Sequence, residues 1–295
     1  MLCIGVFDGV HRGHRILLSE GRRVADELGL PLVAVTFDPH PMAVVDPGRV
    51  PTSLASRALR VRLLEEAGAD VVDVLGFDSA IAELTPEQFI ESELVGRLGA
   101  QAVVVGEDFR FGKRAAGTVA SLREAGAASG FEVHAVPLAG ERDARWSSTS
   151  IRAMVTDGDV AAATHALGRR YAIDGVVVHG DHRGRELGYP TANLAWDYPA
   201  TIPADGVYAG WLVHAGFRLP AAISVGTNPQ FDGAERRVES YVLGRDDLDL
   251  YGQPVTVEFV ARLRGQATFA DVPALIEQMG QDVQQAAAAL AVDRP

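Results

Sequence analysis

The sequence predicts two domains: a doubly wound α/β domain with a parallel sheet, followed by an antiparallel β-barrel with a C-terminal helix. Two observations lead to this fold class. In the first half, short apolar runs rich in β-branched residues alternate with amphipathic helical patterns, which is typical of parallel strands buried on both faces. After about residue 152, short strand patterns follow one another between Gly, Pro and Asp clusters, as in an antiparallel barrel. A length of 295 residues agrees with two domains.

The first half repeats a cycle of strand and helix. Strands are predicted at residues 2–7, 31–37, 71–75, 101–105 and 131–136, and helices at residues 13–28, 56–67, 86–98 and 119–128. In the second half, a short helix at 159–167 precedes strands at 171–179, 207–214, 221–225, 237–243 and 255–261. An amphipathic helix at 272–290 ends the pattern. We therefore place the boundary near Gly168, with domains at residues 1–167 and 168–295.

The composition argues against several classes of protein. The chain is 47% hydrophobic and 22% charged, as in ordinary globular proteins. No apolar run approaches the roughly 20 residues that a membrane helix needs. No secretory signal is visible and the one cysteine, Cys3, excludes an intrachain disulfide, so we expect a cytoplasmic protein. A net charge of −12 disfavours a nucleic-acid partner, and an anionic substrate such as ATP would need local donors and Mg²⁺.

The first motif lies where the first predicted strand turns into the first helix, and residues 5–14 read GVFDGVHRGH. Gly9 and Gly13 permit close backbone approach, and the N-terminus of the helix offers free N–H groups to a phosphate. His11 and His14 lie on one helix face, where they can stabilise charge on an α-phosphate and on departing pyrophosphate. A loop with two surface histidines and a half-formed zinc site are the alternatives, although no further Cys or His is close in sequence. The motif therefore predicts a site that binds ATP and transfers a nucleotidyl group.

Three further segments are placed to contribute to the same site. Residues 37–41 (FDPHP) follow the second strand at its carboxyl end, where ligands bind in open α/β sheets. Residues 106–112 (GEDFRFG) offer a carboxylate, an arginine and two aromatic rings to a nucleotide or a flavin. Residues 147–152 (SSTSIR) predict a helix N-cap whose hydroxyls, with Arg152 one turn on, suit a triphosphate. A proline-stiffened turn, an ordinary loop and a simple cap are the structural alternatives.

The most informative stretch of the second half is residues 179–194 (HGDHRGRELGYPTANL). Gly180, Gly184 and Gly188 predict a mobile loop whose backbone N–H groups wrap phosphates. Thr191 and Asn193 alternate on a predicted strand, so both point to one face, and their neutral oxygens suit Mg²⁺ together with waters and phosphates. The Walker pattern is absent, and a glycine-rich hairpin with two satisfied polar side chains is the alternative.

With these segments in hand, the sequence resembles the bacterial bifunctional riboflavin kinase/FAD synthetase family from residue 4 to about residue 281. The resemblance rests on seven segments in order, at residues 5–14, 37–41, 105–112, 147–152, 184–194, 224–233 and 249–252. It implies a first domain with a nucleotidyltransferase-type sheet, which makes FAD and pyrophosphate from FMN and ATP. It implies a second domain with a six-stranded antiparallel barrel, which makes FMN and ADP from riboflavin and ATP.

The resemblance also implies roles for individual residues. The residues that match nucleotidyl-transfer residues are His11, His14 and Arg152. Those that match ATP or phosphate contacts of the first domain are Gly5, Phe7, Asp8, Gly9, Asp108, Ser148 and Thr149, and those on the flavin side are Phe109 and Arg110. In the kinase domain, Glu239 matches the catalytic glutamate and Arg264 a residue on the flavin side. Thr191 and Asn193 match ligands of Mg²⁺. The residues that match phosphate contacts are Gly180, Gly184, Gly188 and Pro190. A solvent-facing strand residue is the alternative for Glu239.

Riboflavin, FMN and ATP are thus the expected partners, with Mg²⁺ as cofactor and FMN and FAD as products, and we expect no nucleic acid and no membrane. The sequence leaves a homo-oligomer open. Two competing functions are an adenylyltransferase for another acceptor and a non-enzymatic flavin-binding protein. Residues 188–193 argue against the first, which would not use them. The presence of His11, His14, Thr191, Asn193 and Glu239 argues against the second.

Overall fold

The computed structural model describes residues 1–141, 144–180, 187–227 and 236–292. Contacts between residues divide the chain into two compact units. The sheet unit consists of Met1–Pro51 and Arg57–Ser147, and the barrel unit of Thr52–Ser56 and Ser148–Pro295. The division of the two functions at residue 168 stays a prediction, since a grouping of contacts does not say which helices serve which reaction.

Five parallel strands form the sheet of the first unit. They are β1 (Leu2–Ile4), β2 (Val33–Asp38), β3 (Val71–Gly76), β4 (Ala102–Gly106) and β5 (Glu132–Val136). The order across the sheet is β3-β2-β1-β4-β5, so the doubly wound topology is confirmed. The order reverses between β1 and β4, and in open α/β sheets ligands bind at such a reversal, at the carboxyl ends of the strands.

The other elements of the sheet unit are short except for the first helix. They are α1 (Arg12–Leu28), α2 (Met42–Val45), α3 (Arg57–Glu66), α4 (Ser79–Glu83), α5 (Pro86–Phe89), a π-helix (Ile90–Arg97), α6 (Val119–Ser129), and a hairpin of β6 (Gly140–Glu141) and β7 (Ala144–Arg145). The helix predicted at 86–98 is therefore α5 continued by a π-helix, in which the N–H of Leu98 donates to the carbonyl of Glu93, five residues back.

Alternating residues of β1 face helices on both sides of the sheet. Leu2 and Ile4 are buried and share one apolar core with Leu122 of α6. Cys3 points to the opposite face, where a Cβ added to Gly21 of α1 would lie 3.6 Å from the Cys3 Cβ. A strand covered on both faces must be apolar throughout, which is why β1 shows no alternation of polar and apolar residues.

Six antiparallel strands close the barrel of the second unit. They are β8 (Tyr171–Val178), β9 (Ala192–Ala195), β10 (Gly206–His214), β11 (Phe217–Thr227), β12 (Arg236–Val242) and β13 (Pro254–Arg264). Their order is β10-β11-β12-β9-β8-β13, which confirms the six-stranded barrel. Tyr171, Tyr208 and Phe259 are fully buried and their rings pack together.

Within its described residues, the barrel unit has three helices: α7 (Ser148–Thr156), α8 (Val160–Leu167) and α9 (Val272–Val292). Asp159 caps α8 by accepting a hydrogen bond from the N–H of Ala162. The predicted C-terminal helix is confirmed as α9. Ala286 and Leu290 of α9 pack against Ala209 and Ala222 of the barrel, where small side chains let the helix approach closely. Among the described residues, no helix has the length and apolarity needed to cross a membrane.

Candidate active sites

The loop between β1 and α1 has an unusual backbone. The predicted strand at 2–7 ends at Ile4, because Phe7 has a φ of 52° and no longer continues the strand. Gly9 and Val10 follow with φ of 78° and 40°, and the N–H of Val10 donates to the carbonyl of Phe7 at 3.1 Å. Residues other than glycine occupy this left-handed region at a cost, and such positions concentrate at functional sites. Asp8, in the middle of the loop, is only 2% exposed.

The two motif histidines form a stacked pair at the start of α1. Their ring centroids are 3.6 Å apart and their planes are inclined by 19°. His11 is the N-cap, and its Nδ1 accepts a hydrogen bond from the backbone N–H of His14 at 3.4 Å. Because Nδ1 serves as the acceptor, a neutral His11 carries its proton on Nε2. A Cβ at Gly13 would lie 3.1 Å from the His11 ring, so a residue with a side chain there would crowd the pair.

The environment of His14 favours its neutral form. Burial lowers the pKa of His14 well below its ordinary value, and charge repulsion from His11 lowers it further. Phe7 packs edge-on against the His14 ring, with centroids 5.2 Å apart. His14 Nδ1 is buried and has no hydrogen-bond partner in the part of the chain that the structure describes. His14 is thus a neutral imidazole near pH 7, and its Nδ1 is enclosed by the protein.

The first turns of α1 also border a shallow groove that the sequence did not predict. Arg12, Arg15, Ile16, Ser19 and Trp146 line it, and its volume is about 320 Å³. The Arg12 guanidinium lies 5.4 Å from the centroid of the Trp146 ring. No acidic residue occupies the first turn of α1, so this end of the helix keeps its positive potential.

The loop after β4 lies at the same edge of the sheet as the histidine pair, because β1 and β4 are parallel neighbours. Asp108 and Arg110 are exposed, and the Arg110 guanidinium donates to the carbonyl of Phe109 at 3.2 Å. Phe109 stacks on Phe111 with centroids 5.5 Å apart. The topology therefore brings Asp108, Phe109 and Arg110 to the predicted edge, while their contacts with ligands stay predictions.

The loop after β2 is held by its own histidine. His40 Nδ1 accepts a hydrogen bond from the N–H of Met42 at 3.1 Å. Thr36 is fully buried, and its hydroxyl donates to the carbonyl of Val6 at 2.9 Å, which ties β2 to the loop after β1. These bonds give residues 37–41 a structural role in addition to the one that the sequence predicts.

The predicted phosphate-binding turn lies at the start of α7. Ser148 and Thr149 occupy the first turn, and Arg152 follows one turn later. The Nε of Arg152 donates to the carbonyl of Thr52 at 2.6 Å. All four residues belong to the barrel unit, so the roles of Ser148, Thr149 and Arg152 in nucleotidyl transfer stay predictions.

The barrel brings the predicted kinase residues together. The Thr191 hydroxyl donates to Glu239 Oε2 at 3.1 Å, although the two residues are 48 positions apart. Asn193 on β9 stands directly opposite Glu239 on β12 in the antiparallel register. Two neutral side chains and one carboxylate thus meet at one end of the β9–β12 pair.

Two of the three glycines of the kinase motif, Gly180 and Gly188, lie in the described part of the chain, and each has a different structural reason to be glycine. A Cβ at Gly180 would lie 2.6 Å from Cγ of Asn193, so Gly180 leaves room for that amide. Gly188 has a φ of 85°, a conformation that favours glycine. Pro190 directly precedes Thr191. Gly184 lies outside the described residues, as do residues 228–233 of the segment at 224–233.

Two aromatic contacts near these residues were not predicted. His179 stacks on Tyr251 with centroids 3.9 Å apart, and Tyr189 packs edge-on against Tyr241 at 5.2 Å. Tyr251 lies inside residues 249–252, one of the seven segments of the family resemblance. This was the one sequence feature that pointed to its contact with His179.

Arg264 is occupied by an ion pair. Its Nε and Nη2 donate to the two carboxylate oxygens of Asp282 at 2.8 and 2.6 Å, and Asp282 is 5% exposed. The guanidinium also lies 5.8 Å from the centroid of the Phe269 ring. This pair joins β13 to α9, and a flavin contact of Arg264 stays a prediction.

Comparisons with known proteins cover both units. A family model for FAD synthetase matches residues 1–150, and one for riboflavin kinase matches residues 167–290. The bifunctional riboflavin kinase/FMN adenylyltransferase of Escherichia coli strain K12 is 36% identical over 283 residues, which are 96% of this chain and 90% of that protein. The protein of the same name from Bacillus subtilis strain 168 is 33% identical over 97% of this chain and 91% of its own length. A crystal structure described as a macrolide-efflux protein from Streptococcus pneumoniae is 33% identical, with a TM-score of 0.87 over 96% of this chain and 92% of that chain.

The first unit is a doubly wound sheet with a histidine pair at its carboxyl edge, and the second is a closed barrel with a Thr–Asn–Glu cluster. Together they define the class of the protein as a two-domain transferase of phosphate-containing groups. The two family models match in the same order as the two architectures. The chain belongs to the family of bifunctional riboflavin kinase/FMN adenylyltransferases. The resemblance seen in the seven sequence segments is thereby confirmed.

Proposed function

We propose that the two reactions of this family are divided between two separate clusters of residues. In FMN adenylylation, an oxygen of the FMN phosphate attacks the α-phosphorus of ATP, the bond to the β-phosphate breaks, and pyrophosphate leaves. In riboflavin phosphorylation, the terminal hydroxyl of riboflavin attacks the γ-phosphorus of ATP, loses its proton and releases ADP. One observation carries the proposal: the histidine pair and the Thr191–Glu239 pair lie in different units, each matched by its own family model.

The histidine pair is the proposed centre for adenylyl transfer. The stacked rings of His11 and His14 stand at the N-terminus of α1, where ring nitrogens of the pair would hydrogen-bond to phosphate oxygens of ATP. The N-terminus of α1 and the glycine-containing loop at 5–9 would hold the triphosphate in place, which is most of what such a reaction asks of a protein. Asp108, Phe109 and Arg110, at the same edge, are proposed contacts for the nucleotide and the flavin.

Glu239 is the proposed base for the kinase reaction. Its carboxylate already accepts the Thr191 hydroxyl, so it is oriented by β9 and can accept the proton of the riboflavin hydroxyl. Gly180, Gly188 and Pro190 would border the phosphates of ATP.

Thr191 and Asn193 are the proposed ligands of Mg²⁺. They fit this cation because a hydroxyl, an amide and the carboxylate of Glu239 converge, and Mg²⁺ prefers a few protein oxygens completed by phosphates and waters. When bound, the cation would neutralise charge on the transferred phosphoryl group.

Three expectations about partners and compartment remain proposals. The net charge of −12 supports the absence of a nucleic-acid partner. The single, buried Cys3 agrees with a reducing compartment such as the cytoplasm. A homo-oligomer is open to measurement by light scattering of the purified chain.

The test is an incubation of the purified chain with riboflavin, ATP and Mg²⁺, with FMN and FAD resolved by chromatography over time. We expect FMN to appear first and FAD to follow. A second incubation with FMN and ATP isolates adenylylation. Failure to form either product above the no-enzyme control would overturn the proposal.

A further inference from the structure

Arg60 is a buried cation behind the two loops that border the adenylylation site. It lies on α3 and is only 6% exposed. Its Nη2 donates to the carbonyl of Phe37 at 3.0 Å and lies 3.7 Å from Oδ1 of Asp38. Phe37 and Asp38 are the last two residues of β2, so Arg60 touches the sheet at its carboxyl edge.

Two carboxylates at this edge interact with the Arg60 charge. Burial lowers the pKa of Arg60, whereas Asp38 and Asp8 act in the opposite direction, and the repulsion of Arg57 adds to the lowering. Asp8 is 2% exposed and lies in the loop after β1. An arginine stays protonated under such conditions, so Arg60 is a buried counter-charge to carboxylates from two different loops.

The hydrogen bonding of Arg60 is incomplete. Its Nε is buried and has no acceptor among residues 1–141, 144–180, 187–227 and 236–292. What the position supplies above all is positive charge beneath the edge at which the triphosphate of ATP is proposed to bind.

We propose that Arg60 is a positioning residue for FMN adenylylation: it neutralises Asp8 and Asp38, and it thereby lets the loops after β1 and β2 accept the triphosphate of ATP. This inference rests on the proposed adenylyltransferase function of the sheet unit. Without the Arg60 charge, the negative charge of Asp38 and Asp8 would be less compensated at the edge where a polyanion is proposed to bind, and Asp8 has almost no access to screening water.

Arg57 provides a matched control. It lies on the same helix, and its Nη1 is also 3.7 Å from a carboxylate oxygen of Asp38, but its side chain is 65% exposed. We expect Arg60→Met to raise the KM for ATP in FMN adenylylation by about tenfold or more and Arg57→Met to leave it within about twofold. The KM for ATP in riboflavin phosphorylation should not change in either variant. Arg60→Lys, which keeps the charge, should recover most of the loss.

A double variant separates charge from folding. If Arg60 acts by neutralising carboxylates, Arg60→Met combined with Asp38→Asn should bind ATP better than Arg60→Met alone. Wild-type kinetics in Arg60→Met would overturn the inference, and so would a loss that neither Arg60→Lys nor Asp38→Asn relieves. If the wild-type chain makes no FAD from FMN, both the proposed function and this inference fail. If the wild-type chain makes FAD and the Arg60 variants behave like wild type, only this inference fails.

Discussion

The imidazole rings of His11 and His14 stack at 3.6 Å, with the backbone N–H of His14 donating to Nδ1 of His11. Two imidazolium rings at this distance would repel each other, and burial further disfavours a charge on His14. His14 is therefore a neutral imidazole stacked on His11 rather than a further cation beside Arg12 and Arg15. Preorganised donors contribute to catalysis because they need not reorient as charge develops on the phosphates.

Replacement of His14 should separate the two activities. We expect His14→Ala to convert riboflavin to FMN at the wild-type rate but to lower kcat for FAD formation about 100-fold or more, because a phosphate donor is lost. Chromatography of flavins after incubation with riboflavin and ATP measures both steps. His134→Ala, which changes a histidine paired with Glu132 on β5, is the control and should leave both activities intact. Equal loss of FMN and FAD in His14→Ala would contradict two independent sites.

The burial of His14 also predicts a pH dependence of stability. Its pKa lies near 6.5 when unfolded and well below that when folded. Between these two values the unfolded state binds more protons, so stability is full above about pH 6.5 and falls as the pH decreases towards the folded pKa. The urea midpoint of the wild-type chain should therefore drop from about pH 7.5 to about pH 5.5, and the drop should be smaller in His14→Gln. An identical drop in both proteins would show that His14 does not titrate in this way.

Periodicity was sufficient to predict both architectures, because buried parallel strands and barrel strands leave different patterns along the chain. It could not predict that β1 ends at Ile4, since Val6 and Phe7, which come after Gly5, favour strands and the left-handed φ of Phe7 is visible only in the structure. The sequence predicted a strand around Thr191 and Asn193 but not its bounds, because a strand of four residues is too short to show a period.

Contacts between residues far apart in the chain could not be predicted from the sequence. The contact of Thr191 with Glu239 and the ion pair of Arg264 with Asp282 depend on barrel closure and on the docking of α9, which no local spacing encodes. Arg60 was missed because it stands in a basic stretch of α3. The sequence did contain a signal for the burial of Arg60, because Leu63 and Leu64 follow it by three and four residues. This spacing places all three on one face of α3, and both leucines are buried.

Replacement of Glu239 should affect only the kinase. Glu239→Gln keeps an acceptor for the Thr191 hydroxyl but removes the proposed base, so kcat for FMN formation should fall about 100-fold or more. FMN supplied directly should still be adenylylated at the wild-type rate. Glu258→Gln is the control, because Glu258 is a glutamate on β13 whose partner is Arg218 and which has no proposed role in catalysis. Retention of kinase activity by Glu239→Gln would exclude Glu239 as the base.

A side chain at Gly180 should disturb Asn193, the proposed Mg²⁺ ligand that it adjoins. The Cβ of Gly180→Ala would lie 2.6 Å from Cγ of Asn193, so the amide must move, and we expect the Mg²⁺ concentration needed for half-maximal kinase activity to rise about tenfold. Gly265→Ala is the matched control in the same unit, since among the described residues its Cβ would come within 4 Å of the Arg262 guanidinium alone, at 3.9 Å. A titration of kinase activity with Mg²⁺ at saturating riboflavin compares the two variants with wild type. If Gly180→Ala lowers kcat without changing the Mg²⁺ requirement, Asn193 does not act as a ligand and Gly180 serves the phosphates instead.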